Sequence, residues 1–187
     1  YKNNKEVISI HGYSYPFKKN TIDPEYFFLK GADCWGWATW SESWNIFEKN
    51  GKKLKEKIIS KNIVKEFNFN NSYNYMKMLS NQIKGKNNSW AIRWYASAFL
   101  KNKLTLYPKN TFVKNIGIDG SGTHGYEDHK KFNIKNFNHN SYKSIKNEKI
   151  NIKENMFMKS KFENYFNLEK KKFTIKNLLK KLYFFFR

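Results

Sequence analysis

Apolar residues recur at two different spacings along this chain, and together they predict an alternation of strands and helices. Short β-branched or aromatic runs predict strands at 6–10, 26–29, 104–108 and 111–116. Apolar residues at helical spacing predict helices at 41–47, 52–63, 73–83 and 90–100. This succession predicts an α/β fold in which helices flank a mixed sheet.

The helix boundaries follow from polar and glycine residues beside the apolar runs. Ser41, Ser72 and Ser89 are candidate N-caps, because their hydroxyls can accept a hydrogen bond from the first turn. Gly51 is a candidate stop for the helix that begins at Ser41. The helix after Ser89 has the strongest pattern, with one face formed by Ala91, Trp94, Tyr95, Ala98 and Phe99.

The composition changes after Gly125. Residues 126–172 are rich in Asn and Lys, and we expect a loosely ordered extension there. Residues 173–187 predict a basic amphipathic helix, whose apolar positions are Ile175, Leu178, Leu179, Leu182, Tyr183 and Phe186. Such a helix can lie on an anionic membrane, or it can dock on the protein itself.

Four of the six tryptophans fall between residues 35 and 44. Trp40 and Trp44 follow helical spacing, and we expect them to pack inward. Trp35 and Trp37 precede that helix in a segment that contains glycine. Their flat indoles can line a sugar-binding pocket, because a sugar ring presents apolar C–H faces, or they can belong to the core.

The charge of the chain, +21, suggests a nucleic-acid partner, but the basic residues are of the wrong kind. Only Arg93 and Arg187 are arginines, and Arg is the residue that forms paired hydrogen bonds with phosphates and base edges. We therefore interpret most of the charge as a solvated surface and expect no nucleic-acid partner. Cys34 is the only cysteine, so no internal disulfide can form.

Asp33 and Asp119 are the candidate catalytic residues, because both carboxylates lie in glycine-containing segments at the predicted ends of elements. Either can act as a general base. His11 and Tyr13 follow the first predicted strand in a polar, aromatic loop, which is a candidate substrate-binding loop or a structural one. Arg93 can clamp a diphosphate or a carboxylate, or it can form a structural salt bridge with Asp33 or Asp119.

The glycine-rich segment 117–125 permits close approach of the backbone to a ligand, including a phosphate. It has no Gly-Lys-Ser/Thr continuation, which excludes a P-loop NTPase. His124 in this segment is a candidate metal ligand, although its spacing from Asp128 and His129 matches no structural zinc pattern. An exposed loop histidine is the alternative.

Four segments in this order resemble a known family. They are Val7-Ile-Ser-Ile-His-Gly-Tyr, Asp33-Cys-Trp-Gly-Trp-Ala-Thr-Trp, Ser89-Trp-Ala-Ile-Arg-Trp-Tyr-Ala and Asn115-Ile-Gly-Ile-Asp-Gly-Ser-Gly-Thr-His. Together they resemble the C-terminal, acceptor-side part of the GT-A-fold glycosyltransferases, in particular the bacterial family-2-like sugar transferases of surface-polysaccharide clusters. They are also distantly similar to protein N-acetylglucosaminyltransferases. The resemblance covers residues 5–125.

The resemblance implies a nucleotide-sugar donor, a glycan or lipid-linked acceptor, a divalent metal (Mn²⁺ or Mg²⁺) and inversion at the anomeric carbon. It implies His124 as a metal or diphosphate contact, and Trp35, Trp37, His11, Tyr13 and Arg93 as substrate contacts. In related sequences an Asp that can act as the base follows the tryptophan that matches Trp90, but this chain has Ala91 there. Either Asp33 or Asp119 takes that role, or the assignment of the base does not transfer to this chain.

The expected organisation has three parts. Residues 1–125 form a partial glycosyltransferase domain whose nucleotide-binding half would precede residue 1, residues 126–172 form the extension, and residues 173–187 form the basic helix. We expect a fragment without activity of its own, located in the cytoplasm or peripherally on the inner face of the membrane. The alternative function is a membrane-surface binding protein that acts through its C-terminal helix.

Overall fold

The structure, a computed structural model, describes residues 1–114, 116 and 150–185, with side chains described as far as Ile175. Its strands are β1 (Val7–His11), β2 (Tyr26–Lys30), β3 (Trp37–Thr39) and β4 (Leu104–Pro108). Its helices are α1 (Ser41–Trp44), α2 (Gly51–Ser60), α3 (Val64–Phe67), α4 (Tyr75–Ile83), α5 (Trp90–Leu100) and α6 (Met156–Phe185). The α/β class predicted from the sequence is confirmed.

The four strands form one mixed sheet in the order β2-β4-β1-β3. Strand β4 lies parallel to β1 and antiparallel to β2, and β3 is antiparallel to β1. The chain reaches β4 from β3 through helices α1 to α5, and three of these helices, α2, α4 and α5, pack against one another. Strand β3 stands at one end of this order and contains Trp37 of the tryptophan-rich segment 35–44.

The strand register separates the two faces of the sheet. Phe27 pairs with Tyr107, and Ser9 pairs with Thr105, so these residues share one face. Rings of Phe27 and Tyr107 enter the main core with Tyr95, Phe67 and Phe162. The opposite face carries a smaller cluster of Val7, Phe28 and Leu104.

Helix α6 begins much earlier than the sequence predicted. The prediction placed a helix at 173–187 after a loosely ordered extension, whereas the backbone is helical from Met156. Apolar residues at helical spacing bury one face of its first turns in the main core: Met158, Phe162, Tyr165 and Phe166. The abundance of Lys and Asn between these positions concealed that spacing. Residues 117–149 and the side chains after Ile175, which include most of the predicted amphipathic face, lie outside the described part.

A buried ion pair fastens α6 to the loop between β1 and β2. Lys161 Nζ lies 2.5 Å from Asp23 Oδ2, and the Asp23 side chain is fully buried. Burial alone raises the pKa of Asp23, but hydrogen bonds from Lys161 and from the Asn20 amide outweigh it, and the net pKa is lowered. Asp23 is therefore ionised, and this carboxylate is a structural group.

Two of the helix N-caps are asparagines that were not predicted from the sequence. Asn50 caps α2, which begins at Gly51, so the prediction of Gly51 as a stop is wrong. Asn74, not Ser72, caps α4. The predicted Ser41 cap is also wrong, because Ser41 is the first residue of α1 and its N-cap Trp40 makes no side-chain hydrogen bond. The Ser89 cap is confirmed by its bond to the Ile92 amide.

The predicted strand at 111–116 does not form over its described residues. The Thr111 hydroxyl donates to the Val113 carbonyl and accepts from the Val113 amide, which closes a local turn. The Phe112 amide donates to the Gly12 carbonyl, so this turn covers the end of β1. In the described part of the chain, no helix combines the length and apolarity needed to cross a bilayer.

Candidate functional site

The candidate site is built around Asp33, in the segment 31–36 that connects β2 to β3. Gly31 begins this segment with φ of 99°, a conformation that strains other residues, and the Tyr95 ring lies where a Cβ would be. The Gly31 amide donates to the Lys103 carbonyl, and the Gly31 carbonyl accepts from the Thr105 hydroxyl. These two hydrogen bonds hold the start of the segment against β4 and the residue that precedes it.

The Asp33 carboxylate is partly exposed, with 21% of its side-chain surface open to solvent. Its Oδ2 accepts a hydrogen bond from the Tyr15 hydroxyl at 2.7 Å, and its Oδ1 accepts from the Cys34 amide at 2.8 Å. Each carboxylate oxygen has further lone pairs beyond these bonds. The carboxylate is therefore fixed in orientation and keeps accepting capacity on its open side.

His11 holds the backbone next to Asp33. Its Nε2 accepts from the Trp35 amide at 3.1 Å, which requires the neutral ring with the proton on Nδ1. Burial lowers the pKa of His11 more strongly than Asp33 and a backbone contact at Tyr13 raise it. The imidazole is thus neutral at pH 7, and its 3.8 Å approach to Asp33 Oδ1 is not an ion pair.

The negative charge of Asp33 affects several buried tyrosines, of which Tyr15 bonds to it directly. Burial, followed by the negative charge of Asp33, raises the pKa values of Tyr15, Tyr73 and Tyr107 above the ordinary value, that of Tyr73 to about 12. These phenols stay protonated at neutral pH and can act as hydrogen-bond donors. Burial and Asp33 likewise raise the pKa of the Cys34 thiol to about 12, so Cys34 is not a thiolate nucleophile.

Trp35 and Trp37 lie in different environments, although only Gly36 separates them. Trp35 is partly buried beside the main core, and its ring meets that of Tyr13 edge-on, with 4.8 Å between centroids. Trp37 instead contacts the indoles of Trp44, Trp90 and Trp94. The structure therefore brings Trp35 together with Tyr13 through its ring and with His11 through its amide. Trp37 is the backbone partner of His11 across β1 and β3, but its ring packs against the other indoles.

The inward packing predicted for Trp44 is wrong. Trp44 is 36% exposed, because α1 is a single short turn without buried residues. Trp40 is partly buried against the smaller cluster on the other face of the sheet. The fully buried indole is Trp94 of α5.

Arg93 also lies away from Asp33. Its Nη1 donates to the Lys49 carbonyl at 3.0 Å, and its guanidinium carbon lies 5.8 Å from the centre of the Phe47 ring. No salt bridge joins Arg93 to Asp33 among the described residues. A salt bridge with Asp119, or a clamp on a diphosphate or a carboxylate, stays a prediction. Asp119 and His124 lie outside the described residues, so their roles stay predictions.

The described residues near Asp33 do not fit a divalent metal. No group of three or more His, Cys, Asp or Glu side chains that could hold an ion occurs in the described part. His11 is fully buried and already uses Nε2 for the Trp35 amide, which leaves Asp33 alone as an accessible ligand. The Mn²⁺ or Mg²⁺ that the resemblance implies therefore has no support from these residues.

Tyr15 lies in the loop 11–16 that the sequence offered as a candidate site, but its hydrogen bond to Asp33 was not predicted. Eighteen positions separate the two residues, so no local pattern indicates that they meet. Comparison with protein-family models, curated proteins and solved structures finds no match. A function for this chain is therefore inferred from its fold and from the geometry at Asp33.

Proposed function

We propose that residues 1–114 contain the acceptor-binding side of an inverting glycosyltransferase, with Asp33 as the general base. The observation that carries the proposal is the oriented, partly exposed Asp33 carboxylate, which lies two residues before the partly buried Trp35. Two bonded donors fix its direction, and neither Tyr15 nor the Cys34 amide competes for a proton at neutral pH. The order of motifs that resembles GT-A transferases supports the choice of sugar transfer over other reactions.

The proposed role of Asp33 is to remove the proton from an acceptor hydroxyl. The hydroxyl oxygen then bonds to the anomeric carbon of the donor sugar, the bond from that carbon to the diphosphate oxygen breaks, and the nucleoside diphosphate leaves. Inversion follows from a single in-line displacement. A positioned base contributes roughly 10²- to 10⁴-fold to the rate of such a step.

Of the three aromatic side chains Trp35, Tyr13 and Tyr15, which connect in this order to Asp33, Trp35 is the one that is partly exposed. Its ring contacts Tyr13, and Tyr13 contacts Tyr15, but both tyrosines are buried in the main core and support Trp35 and Asp33 from the protein side. A hexose presents C–H groups on one face and hydroxyls at its edge, which suits one indole and one accepting carboxylate in the same segment.

The proposal is tested by Asp33→Asn in the enzyme that contains this chain together with the donor-binding half implied by the resemblance. We expect transfer from a nucleotide sugar to fall at least a hundredfold with little change in acceptor affinity, because Asn keeps the shape but cannot take the proton. Glu25→Gln, at a half-exposed carboxylate that pairs with Lys109, is the matched control. Unchanged transfer in Asp33→Asn would refute the role of Asp33 and leave Asp119 as the candidate.

A second candidate function is binding to a membrane surface through the C-terminal helix. Phe166 is the last buried side chain of α6 among those described, which end at Ile175. The helix continues to Phe185, and the large apolar residues Leu168, Phe173 and Ile175 are each more than half exposed. Flotation with anionic liposomes, with and without residues 173–187, tests it. Equal flotation of both forms would contradict this function.

A further inference from the structure

A second surface, separate from Asp33, carries an unusual group of aromatic side chains. Trp37, Trp44 and Trp90 contact one another with ring centroids 5.4–6.0 Å apart, and we call these three residues the tryptophan cluster. They come from β3, α1 and the first residue of α5. Trp44 and Trp90 remain 36% and 39% exposed, which is a large apolar area to leave in water.

The rings of this cluster already contact other aromatic side chains. Trp44 stacks on Phe47 at 4.7 Å and lies 4.9 Å from the buried Trp94. Trp37 contacts three indoles. The cluster is a rigid, partly exposed group of amphipathic side chains, the kind that occupies membrane–water interfaces.

Basic residues lie in the segments that carry the cluster and in the loop before Trp90, and we call Arg93, Lys49, Lys84 and Lys86 its basic border. Arg93 lies one helical turn after Trp90, approaches the Phe47 ring and forms no ion pair among the described residues. The Lys49 carbonyl accepts from Arg93, and Lys49 is exposed. The loop that leads into Trp90 carries exposed Lys84 and Lys86.

The acidic residues of the same segments do not cancel this charge. Glu48 is paired with Lys53 at 2.8 Å, and Glu42 is the other acidic residue beside the cluster. Segments 41–49 and 84–93 thus carry four basic groups and two carboxylates, of which Glu42 has no ion pair among the described residues, on a chain of net charge +21. This balance is complementary to a surface of anionic lipids.

We propose that the tryptophan cluster and its basic border bind the surface of an anionic bilayer, with the indoles of Trp44 and Trp90 entering the headgroup region. This binding does not need residues 173–187 and does not depend on sugar transfer. Indole insertion supplies the apolar part of the affinity, and Arg93, Lys49, Lys84 and Lys86 supply the attraction to lipid phosphates.

The test uses the full chain with vesicles of phosphatidylcholine alone or mixed with phosphatidylglycerol. We expect binding to the mixed vesicles only, and weaker binding at higher salt. Trp44→Ala/Trp90→Ala should lower the partition coefficient about tenfold or more, and Lys84→Gln/Lys86→Gln should lower it by a similar factor. Brominated lipids should quench the tryptophan fluorescence of the unmodified chain more than that of the tryptophan variant.

Two variants act as controls. Ile22→Ala/Ile59→Ala removes exposed apolar surface elsewhere and should bind normally. Leu179→Glu/Leu182→Glu disables the C-terminal helix, and binding that survives this change supports the cluster. Circular dichroism establishes that each variant is folded. Normal binding by a folded Trp44→Ala/Trp90→Ala chain, equal binding to neutral vesicles, or no binding by the unmodified chain would each overturn the proposal.

Discussion

His11 shows how a single residue can serve the site without facing the substrate. It is fully buried, and its neutral ring accepts the Trp35 amide, so it fixes the backbone that carries both Asp33 and Trp35. Tyr107 and Tyr13 pack against its ring, and Asp33 is the charged group within 4 Å. Protonation of this buried ring would break its hydrogen bond with the Trp35 amide, so the position of segment 31–36 depends on pH.

The stability of the protein should therefore fall as the pH drops below 6.5. The unfolded chain takes up a proton at His11 near pH 6.5, whereas the folded chain resists it because burial lowers the pKa. Urea denaturation at a series of pH values measures this loss. His11→Gln, whose amide oxygen can still accept from Trp35, should lose less free energy of unfolding over the same range. If the free energy of unfolding depended on pH identically in both proteins, His11 would not be the group whose lowered pKa causes the loss.

Cys34 should react slowly with thiol reagents in the folded protein. Burial and the Asp33 charge raise its pKa to about 12, so at pH 8 the thiolate fraction is about a thousandfold below that of an ordinary cysteine. The rate of reaction with a disulfide reagent checks this, with the urea-unfolded chain as reference. We expect Asp33→Asn to accelerate the reaction in the folded state. A native rate equal to the unfolded rate would show that the thiol is not shielded.

Among the elements, α6 contributes to the core in a way that its composition does not suggest. Phe162 is 1% exposed and contacts the rings of Tyr15, Phe17, Phe27 and Tyr107. Because Tyr15 also donates a hydrogen bond to Asp33, the packing of α6 against Tyr15 helps to hold the Asp33 carboxylate in position.

Phe162→Ala should destabilise the protein by roughly 3–5 kcal/mol, since it removes a fully buried ring and leaves a cavity. Leu168→Ala on the same helix, at a side chain that is 58% exposed, should change the free energy of unfolding by less than about 0.5 kcal/mol. Chemical denaturation of the two variants measures the difference. Equal effects would mean that the first turns of α6 do not pack in the core.

The elements that sequence could predict are those with strong local signals. Strands β1, β2 and β4 and helix α5 lie within a residue or two of the predicted bounds, because their β-branched, aromatic or capped patterns are local. Helix α6 was predicted too short because Lys and Asn dominate the residues between Met158 and Phe166. The proximity of Asp33, Tyr15 and His11 depends on sheet pairing and on the path of segment 31–36, and no local pattern carries that information.

At the scale of the whole molecule, the tryptophans divide between two surfaces. Trp35 lies on the side of the main core with Asp33, and Trp37 lies in the tryptophan cluster. The sequence placed both indoles at one sugar site, since adjacent aromatic residues around a glycine do not reveal which way each one turns. The structure assigns the two sides different environments and allows them to be tested separately.

The most direct test of the central claim, that the Asp33 side binds an acceptor sugar, is the affinity of this chain for oligosaccharides measured by calorimetry. Trp35→Ala should weaken the binding at least tenfold, because it removes the partly exposed indole of the segment that carries Asp33. Trp37→Ala, an identical change one residue beyond Gly36, should alter the affinity less than about twofold provided that the variant stays folded. Equal losses in both variants, or a loss confined to Trp37→Ala, would contradict the account.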